Sequence, residues 1–242
     1  MKTVVITGAS RGIGHQVVIR FVREGWRVVS CSRDDIPMDR QVEDSPHLHV
    51  PTDLSDQASI ESFIVEANAF IGDGPVHALV NNAGVSPKTS FKERLGTLNG
   101  SLEHWREVFD LNFFAPLILA RGFAAALHRG QGAIVNVTSI AGHRIHPFAG
   151  SAYSCSKAAL SALTREMASE FAHLNVRVNA VAPGEIETAM LSPEYDDMLP
   201  RIPLGRMGTP QEVAGTIYYL CGDDAAYVSG TEIMITGGQH LV

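Results

Sequence analysis

Apolar residues along the chain fall into two alternating kinds of run. Short β-branched stretches, Val4-Val5-Ile6 first among them, stop at glycine, asparagine or serine, while longer stretches repeat their apolar positions at helical spacing, as Ile13, Val17, Val18, Phe21 and Val22 do. The same pattern predicts strands at residues 26–31, 47–50, 76–80, 132–137, 176–181 and 231–236. It predicts helices from Asp56 to near Phe70, from Leu102 to near Leu127 with a kink at Pro116, after Tyr153, and from Pro210 to Leu220. Strands alternating with helices in this way imply an α/β fold, a doubly wound parallel seven-stranded sheet with helices on both faces. No linker, repeat or low-complexity tract divides residues 1–242, so one domain is expected. The segment from Glu185 to near Leu204 holds Pro193, Pro200 and Pro203 and no period, which marks it as a lid.

The chemistry collects where the strands end. After the first strand, Thr7-Gly8-Ala9-Ser10-Arg11-Gly12-Ile13-Gly14 lets the backbone turn tightly and points the first amides of a helix at an anion, a dinucleotide-binding signal of Rossmann type. The same residues spell Gly-x-Ser-x-Gly, so a serine hydrolase with Ser10 as nucleophile is the rival reading. The second strand ends in Ser32-Arg33, where a fold selecting an unphosphorylated ribose places an acid; with Arg11, Arg33 points to NADP(H), leaving NAD(H) to Asp34 or Asp35. Asp53 either caps the following helix or holds the adenine edge. His47 and His49 share one face of a strand, but with no third ligand a surface pair is expected and no metal site. Asn81-Asn82-Ala83-Gly84, Thr138-Ser139 and Ala182-Pro183-Gly184 close three further strands, and His143 and His146 follow Ser139 in a loop able to line a pocket. Asn112 stands in mid-helix, an unfavourable place for it without a local role.

Tyr153 and Lys157, four residues apart at the start of a helix, leave the same face with Cβ atoms about 5–6 Å apart. A cation at roughly 4 Å in an effective dielectric of about 20 favours phenolate by up to about 4 kcal/mol, which brings a tyrosine of pKa about 10 towards acid–base work at neutral pH.

Composition narrows the class. Of 242 residues 45% are hydrophobic and 19% charged, and the net charge of −7 argues against a general affinity for nucleic acid or anionic membrane. Cys31, Cys155 and Cys221 are odd in number and widely spaced, which suits a reducing cytoplasm. The apolar run Phe113–Ala120 is too short for a membrane span.

In order, the motifs Thr7-Gly8-x3-Gly12-x-Gly14, Asp53, Asn81-Asn82-Ala83-Gly84, Asn112, Ser139, Tyr153-x3-Lys157 and Pro183-Gly184 resemble those of the short-chain dehydrogenases/reductases over nearly the whole chain. Pro203-Leu204-Gly205-Arg206 and Thr236-Gly237-Gly238 look most like the 3-oxoacyl-carrier-protein reductase type. The resemblance implies a hydride transfer between NADP(H) and a carbonyl or secondary alcohol. Tyr153 would be the general acid/base and Ser139 would bond the reacting oxygen. Lys157 would hold the nicotinamide ribose and lower the tyrosine pKa, and Asn112 would hold a relay water. It implies a cofactor site at Gly8, Ser10, Arg11, Gly12, Ile13, Gly14, Ser32, Arg33, Asp53, Leu54, Asn81, Ala83, Gly84, Tyr153, Lys157, Pro183, Gly184, Ile186 and Thr188, and a homotetramer or homodimer. His143, His146, Glu185 and Met190 are the substrate candidates, and their polarity argues for a polar or hydroxylated substrate over a fatty-acyl one. A dinucleotide-binding sensor without catalysis is the second rival.

Overall fold

A computed structural model describes residues 1–36, 46–88, 94–188 and 198–242. Strands β1 (Thr3–Thr7), β2 (Arg27–Ser32), β3 (His47–Pro51), β4 (Ala78–Asn81), β5 (Ala133–Val137), β6 (Arg177–Pro183) and β7 (Glu232–Ile235) form one seven-stranded parallel sheet in the order β3-β2-β1-β4-β5-β6-β7. All of β1, β4 and β5 is buried, which is why these strands are apolar runs and not alternating ones.

Helices α1 (Gly12–Arg23) and α6 (Pro210–Cys221) cover one face, packing Val17, Phe21, Val213 and Ile217 on Val4, Ile6 and Val80. Helices α2 (Gln57–Ile71), α4 (Ala115–Gly130) and α5 (Ser151–Phe171) cover the other, with Phe63, Phe123 and Met167 against Val5, Leu79 and Ile134. Each sheet face thus has its own apolar cluster. Burial of these side chains at roughly 1.5–3 kcal/mol apiece is the main force fixing the sheet between its helices.

The chain order reverses direction across the sheet between β1 and β4, which opens a crevice at their carboxyl ends. Thr7 stitches that point: its Oγ1 accepts the N–H groups of Asn82 and Ala83 at 3.0 Å each, while Asn82 Nδ2 donates to the carbonyls of Thr7 and Gly8 at 2.9 and 3.2 Å.

Three expectations change. The helix foreseen from Leu102 to near Leu127 is α3 (Leu102–Phe109), a π-helical turn (Asp110–Phe114) and α4, with the irregularity just before Pro116. Together they make a run of 29 residues whose most apolar 18-residue window has a mean hydropathy of 1.4, long and apolar enough by length and composition to cross a membrane, which Phe113–Ala120 alone is not. The α2 cap is Asp56, which accepts from Ala58 N–H at 3.2 Å; Asp53 accepts from the N–H and hydroxyl of Ser55 in the preceding turn. His47 and His49 are half-buried and share a partner, Ser30 Oγ, at 2.8 Å each. Burial pushes His47 down to about 4, so these histidines are a neutral strand contact and not a surface pair.

Candidate active site

A cleft of about 300 Å³ runs along the carboxyl ends of the strands and is lined by the glycine turn, the ends of β2, β4, β5 and β6, and the first turn of α5.

At one part of it, Gly8 and Gly12 hold left-handed backbone at φ 69° and 58°, conformations that disfavour any side chain. Arg11 places no side-chain cap on α1, and the first N–H to return to its carbonyl is that of His15 at 3.3 Å. The cleft-lining residues Gly12 and Ile13 therefore have their amides in an uncapped first turn, with the helix dipole behind them, and fit a dinucleotide pyrophosphate. Gly14 itself does not reach the cleft. A Cβ there would lie 2.2 Å from Gly8 O and 2.4 Å from Asn82 Nδ2, so this glycine serves the packing of α1 on the strand end.

Of the cofactor residues foreseen, Gly8, Ser10, Arg11, Gly12, Ile13, Ser32, Arg33, Leu54, Ala83, Gly84, Tyr153, Lys157, Pro183, Gly184, Ile186 and Thr188 line the cleft. Asp53 does not, because its carboxylate is turned to Ser55, and neither does Asn81, whose Nδ2 is buried against Asn136 Oδ1 at 2.8 Å. Thr52, Asn82 and Val137 also line it; none is foreseen from the sequence, although each borders a recognised motif residue and that adjacency is the available signal.

Tyr153, Ser139 and Lys157 meet on one wall. Ser139 Oγ accepts the N–H of Ala141 at 3.1 Å, so its own proton is free to be donated outward, on the cleft wall it shares with Tyr153. The Tyr153 side chain is half-buried in the cleft wall. Burial raises its pKa, hydrogen bonding to Ser139 opposes this, and the negative charge of Glu185 adds to the rise. This reverses the lowering expected from Lys157. The Lys157 ammonium stands 5.8 Å from the ring centre, donates to Val137 O at 2.7 Å, and is itself pushed down to about 8 by burial.

Asn112 does not line the cleft. Its Oδ1 accepts Val85 N–H at 2.9 Å, and its Nδ2 donates to Val85 O at 3.1 Å and to Ser156 Oγ at 3.0 Å. Ser156 in turn donates to Tyr153 O at 2.8 Å, so Asn112 fastens the loop after β4 to the first turn of α5. Its side chain is committed; its carbonyl is not bonded by Pro116, which has no N–H to return from four residues on.

Among the substrate candidates, His146 and Glu185 line the cleft. His143 does not, because its Nε2 is drawn 2.9 Å from Glu232 Oε2. Met190 lies outside the described residues. The hydrolase reading of Ser10 also loses its base. His146 is the one histidine lining the cleft among the described residues, and both of its ring nitrogens are engaged, with Glu185 and with the amides of Phe148 and Ala149.

Residues 8–240 match a family model described as enoyl-(acyl carrier protein) reductase. The chain is 50% identical over 242 residues to protein FixR of Bradyrhizobium diazoefficiens, covering 99% of this chain and 87% of that protein. A crystal structure of a short-chain dehydrogenase/reductase from Brucella ovis in complex with a partially ordered NAD superposes with a TM-score of 0.83 at 47% identity, covering 97% and 99% of the two chains. The 3-oxoacyl-[acyl-carrier protein] reductase of Brucella melitensis superposes at 0.90 with 28% identity, covering 100% and 92%. With its crevice, its uncapped glycine turn and its Ser139–Tyr153–Lys157 wall, the chain belongs to the short-chain dehydrogenase/reductase family of oxidoreductases.

Proposed function

We propose that the protein moves a hydride between a nicotinamide dinucleotide and a carbonyl or secondary-alcohol carbon, with Tyr153 passing the accompanying proton. The observation that carries this is the convergence of Ser139, Tyr153 and Lys157 on one wall of the cleft that also holds the anion-binding turn of α1. The nicotinamide supplies the hydride chemistry when bound; the chain supplies the cradle, the alignment and the proton. In oxidation the phenolate takes the proton of the alcohol, and in reduction the phenol returns it to the carbonyl oxygen, while the Ser139 hydroxyl donates to that same oxygen as charge grows on it. The Lys157 ammonium, neighbouring both Tyr153 and Gly84, favours the phenolate and is placed to bind a ribose hydroxyl. The relay water expected at Asn112 would be held by its carbonyl, since its amide is fully used.

We infer that the residues after β2 decide the choice of cofactor. Arg11 of the glycine turn and Arg33 just after β2 line the cleft, with Asp34 as the acid next to Arg33, and that balance supports NADP(H). The relative with NAD bound favours NAD(H), for which Asp34 would take the ribose hydroxyls. Arg33→Ala decides between them. NADPH affinity should fall at least about tenfold more than NADH affinity; an equal effect on both removes the phosphate pocket.

The reaction itself is tested by following reduced-nicotinamide absorbance across a panel of ketones and secondary alcohols with each cofactor. Turnover of any member supports the reading. Tight binding of a nucleotide that is never oxidised or reduced would make the protein a sensor instead.

A further inference from the structure

Besides Asp34 at the β2 end, the cleft is lined by a carboxylate that neither the cofactor reading nor the hydride and proton transfer uses. Glu185, 5% exposed, follows Gly184 at the end of β6, and its Oε1 accepts His146 Nε2–H at 2.8 Å and Gln239 Nε2–H at 3.3 Å. His146 Nδ1 accepts the amides of Phe148 and Ala149 at 3.2 and 3.1 Å, which fixes the ring proton on Nε2, facing Glu185. Gln239, 2% exposed, turns its NH2 to the carboxylate and leaves its own Oε1 buried with no partner, an arrangement that costs stability. No lysine or arginine compensates the charge among these contacts. Two uncharged side chains therefore grip one oxygen of the carboxylate, and no hydrogen bond from a described residue reaches the other, Oε2. The field of Glu185 is felt at the Tyr153 hydroxyl, which places it towards the reacting end of the cleft.

A carboxylate oxygen that a bound substrate covers is costly unless a donor meets it. We propose that Glu185, positioned by His146 and Gln239, determines substrate specificity by accepting at Oε2 a hydrogen bond from a hydroxyl or ammonium group that the substrate carries besides the reacting carbinol. An unadorned acyl chain offers this oxygen nothing, and a substrate carboxylate near it is repelled. The proposal rests on the carbonyl/alcohol reading of the cleft and narrows its substrate class.

The test uses four matched probes, cyclohexanol and its vicinal hydroxyl, amino and carboxylate derivatives, with either oxidised cofactor. kcat/KM should be at least about tenfold higher for the hydroxyl or amino derivative than for cyclohexanol, and lowest for the carboxylate. The better of the two donors tells a neutral partner from a cationic one. Glu185→Gln should shrink the preference for the amino derivative, and Glu185→Leu should abolish the preference for both donors. Loss of the charge should also move the limb of the pH profile set by Tyr153 to lower pH, which a merely structural Glu185 would not do. An unchanged ratio in both variants, or a wild-type preference for cyclohexanol or the carboxylate, overturns the proposal. If no probe is turned over, calorimetric binding to the NADH- or NADPH-loaded protein decides it separately from the reaction: donor-bearing probes must bind tighter than cyclohexanol, and equal or absent binding overturns it.

Discussion

Lys157 shows at a single residue how function is set against stability. An ammonium 3% exposed, with Val137 O as its partner and a pKa down from 10.5 to about 8, is disfavoured in its charged form by roughly 3 kcal/mol relative to the unfolded chain. A base with a depressed folded pKa carries its full penalty below that pKa, and the penalty is relieved as pH rises from about 8 to 10.5. Lys157→Met should therefore raise the stability of the nucleotide-free protein at neutral pH by about 2 kcal/mol, net of the unpaired Val137 carbonyl, while turnover collapses. The stability gap over wild type should narrow across that same alkaline window. Chemical denaturation at several pH values checks this, and a less stable variant would contradict it. The four-residue spacing of Tyr153 and Lys157 was legible in the sequence because helical geometry alone fixes it. The sign of the tyrosine shift was not, because it depends on how deeply the hydroxyl is enclosed and on Glu185, which is remote in sequence.

At the scale of elements, strand ends were the readable feature. Strands buried on both faces must be apolar throughout, so the first glycine, asparagine or serine marks the carboxyl edge where the cleft lies. What the pattern left out were devices made by one element acting on another: the Glu185–His146–Gln239 contact, the turning of Asp53 to Ser55, and the π-helical turn holding Asn112. Pro116 forces a kink in any reading, but only the fold shows that the disturbance serves Asn112, whose amide ties the β4 loop to Ser156 and whose carbonyl Pro116 leaves without an α-helical donor. Pro116→Ala restores that N–H. It should leave the thermal midpoint no lower and reduce kcat by interrupting proton supply, with little change in cofactor affinity; unchanged kcat would show that the carbonyl holds no working water.

For the whole molecule, alternation of strands and helices was enough to foresee a doubly wound parallel sheet, since few other arrangements bury so many apolar strands. Assembly was open to no such argument. The most apolar stretch of the long run from Leu102 to Gly130 is only 39% buried, and Phe114 is 45% exposed, which supports a second copy of this chain as the cover and hence the homotetramer or homodimer we propose. Light scattering coupled to size exclusion should return two or four times the 26.1 kDa of one chain, and a monomer at micromolar concentration would contradict it. The account as a whole depends on the Tyr153 hydroxyl, and the turnover of Tyr153→Phe beside its affinity for the reduced cofactor tests it most directly. We predict a loss of about 10²- to 10⁴-fold in kcat with cofactor binding within about twofold of wild type; a variant that turns over at the wild-type rate would contradict the mechanism.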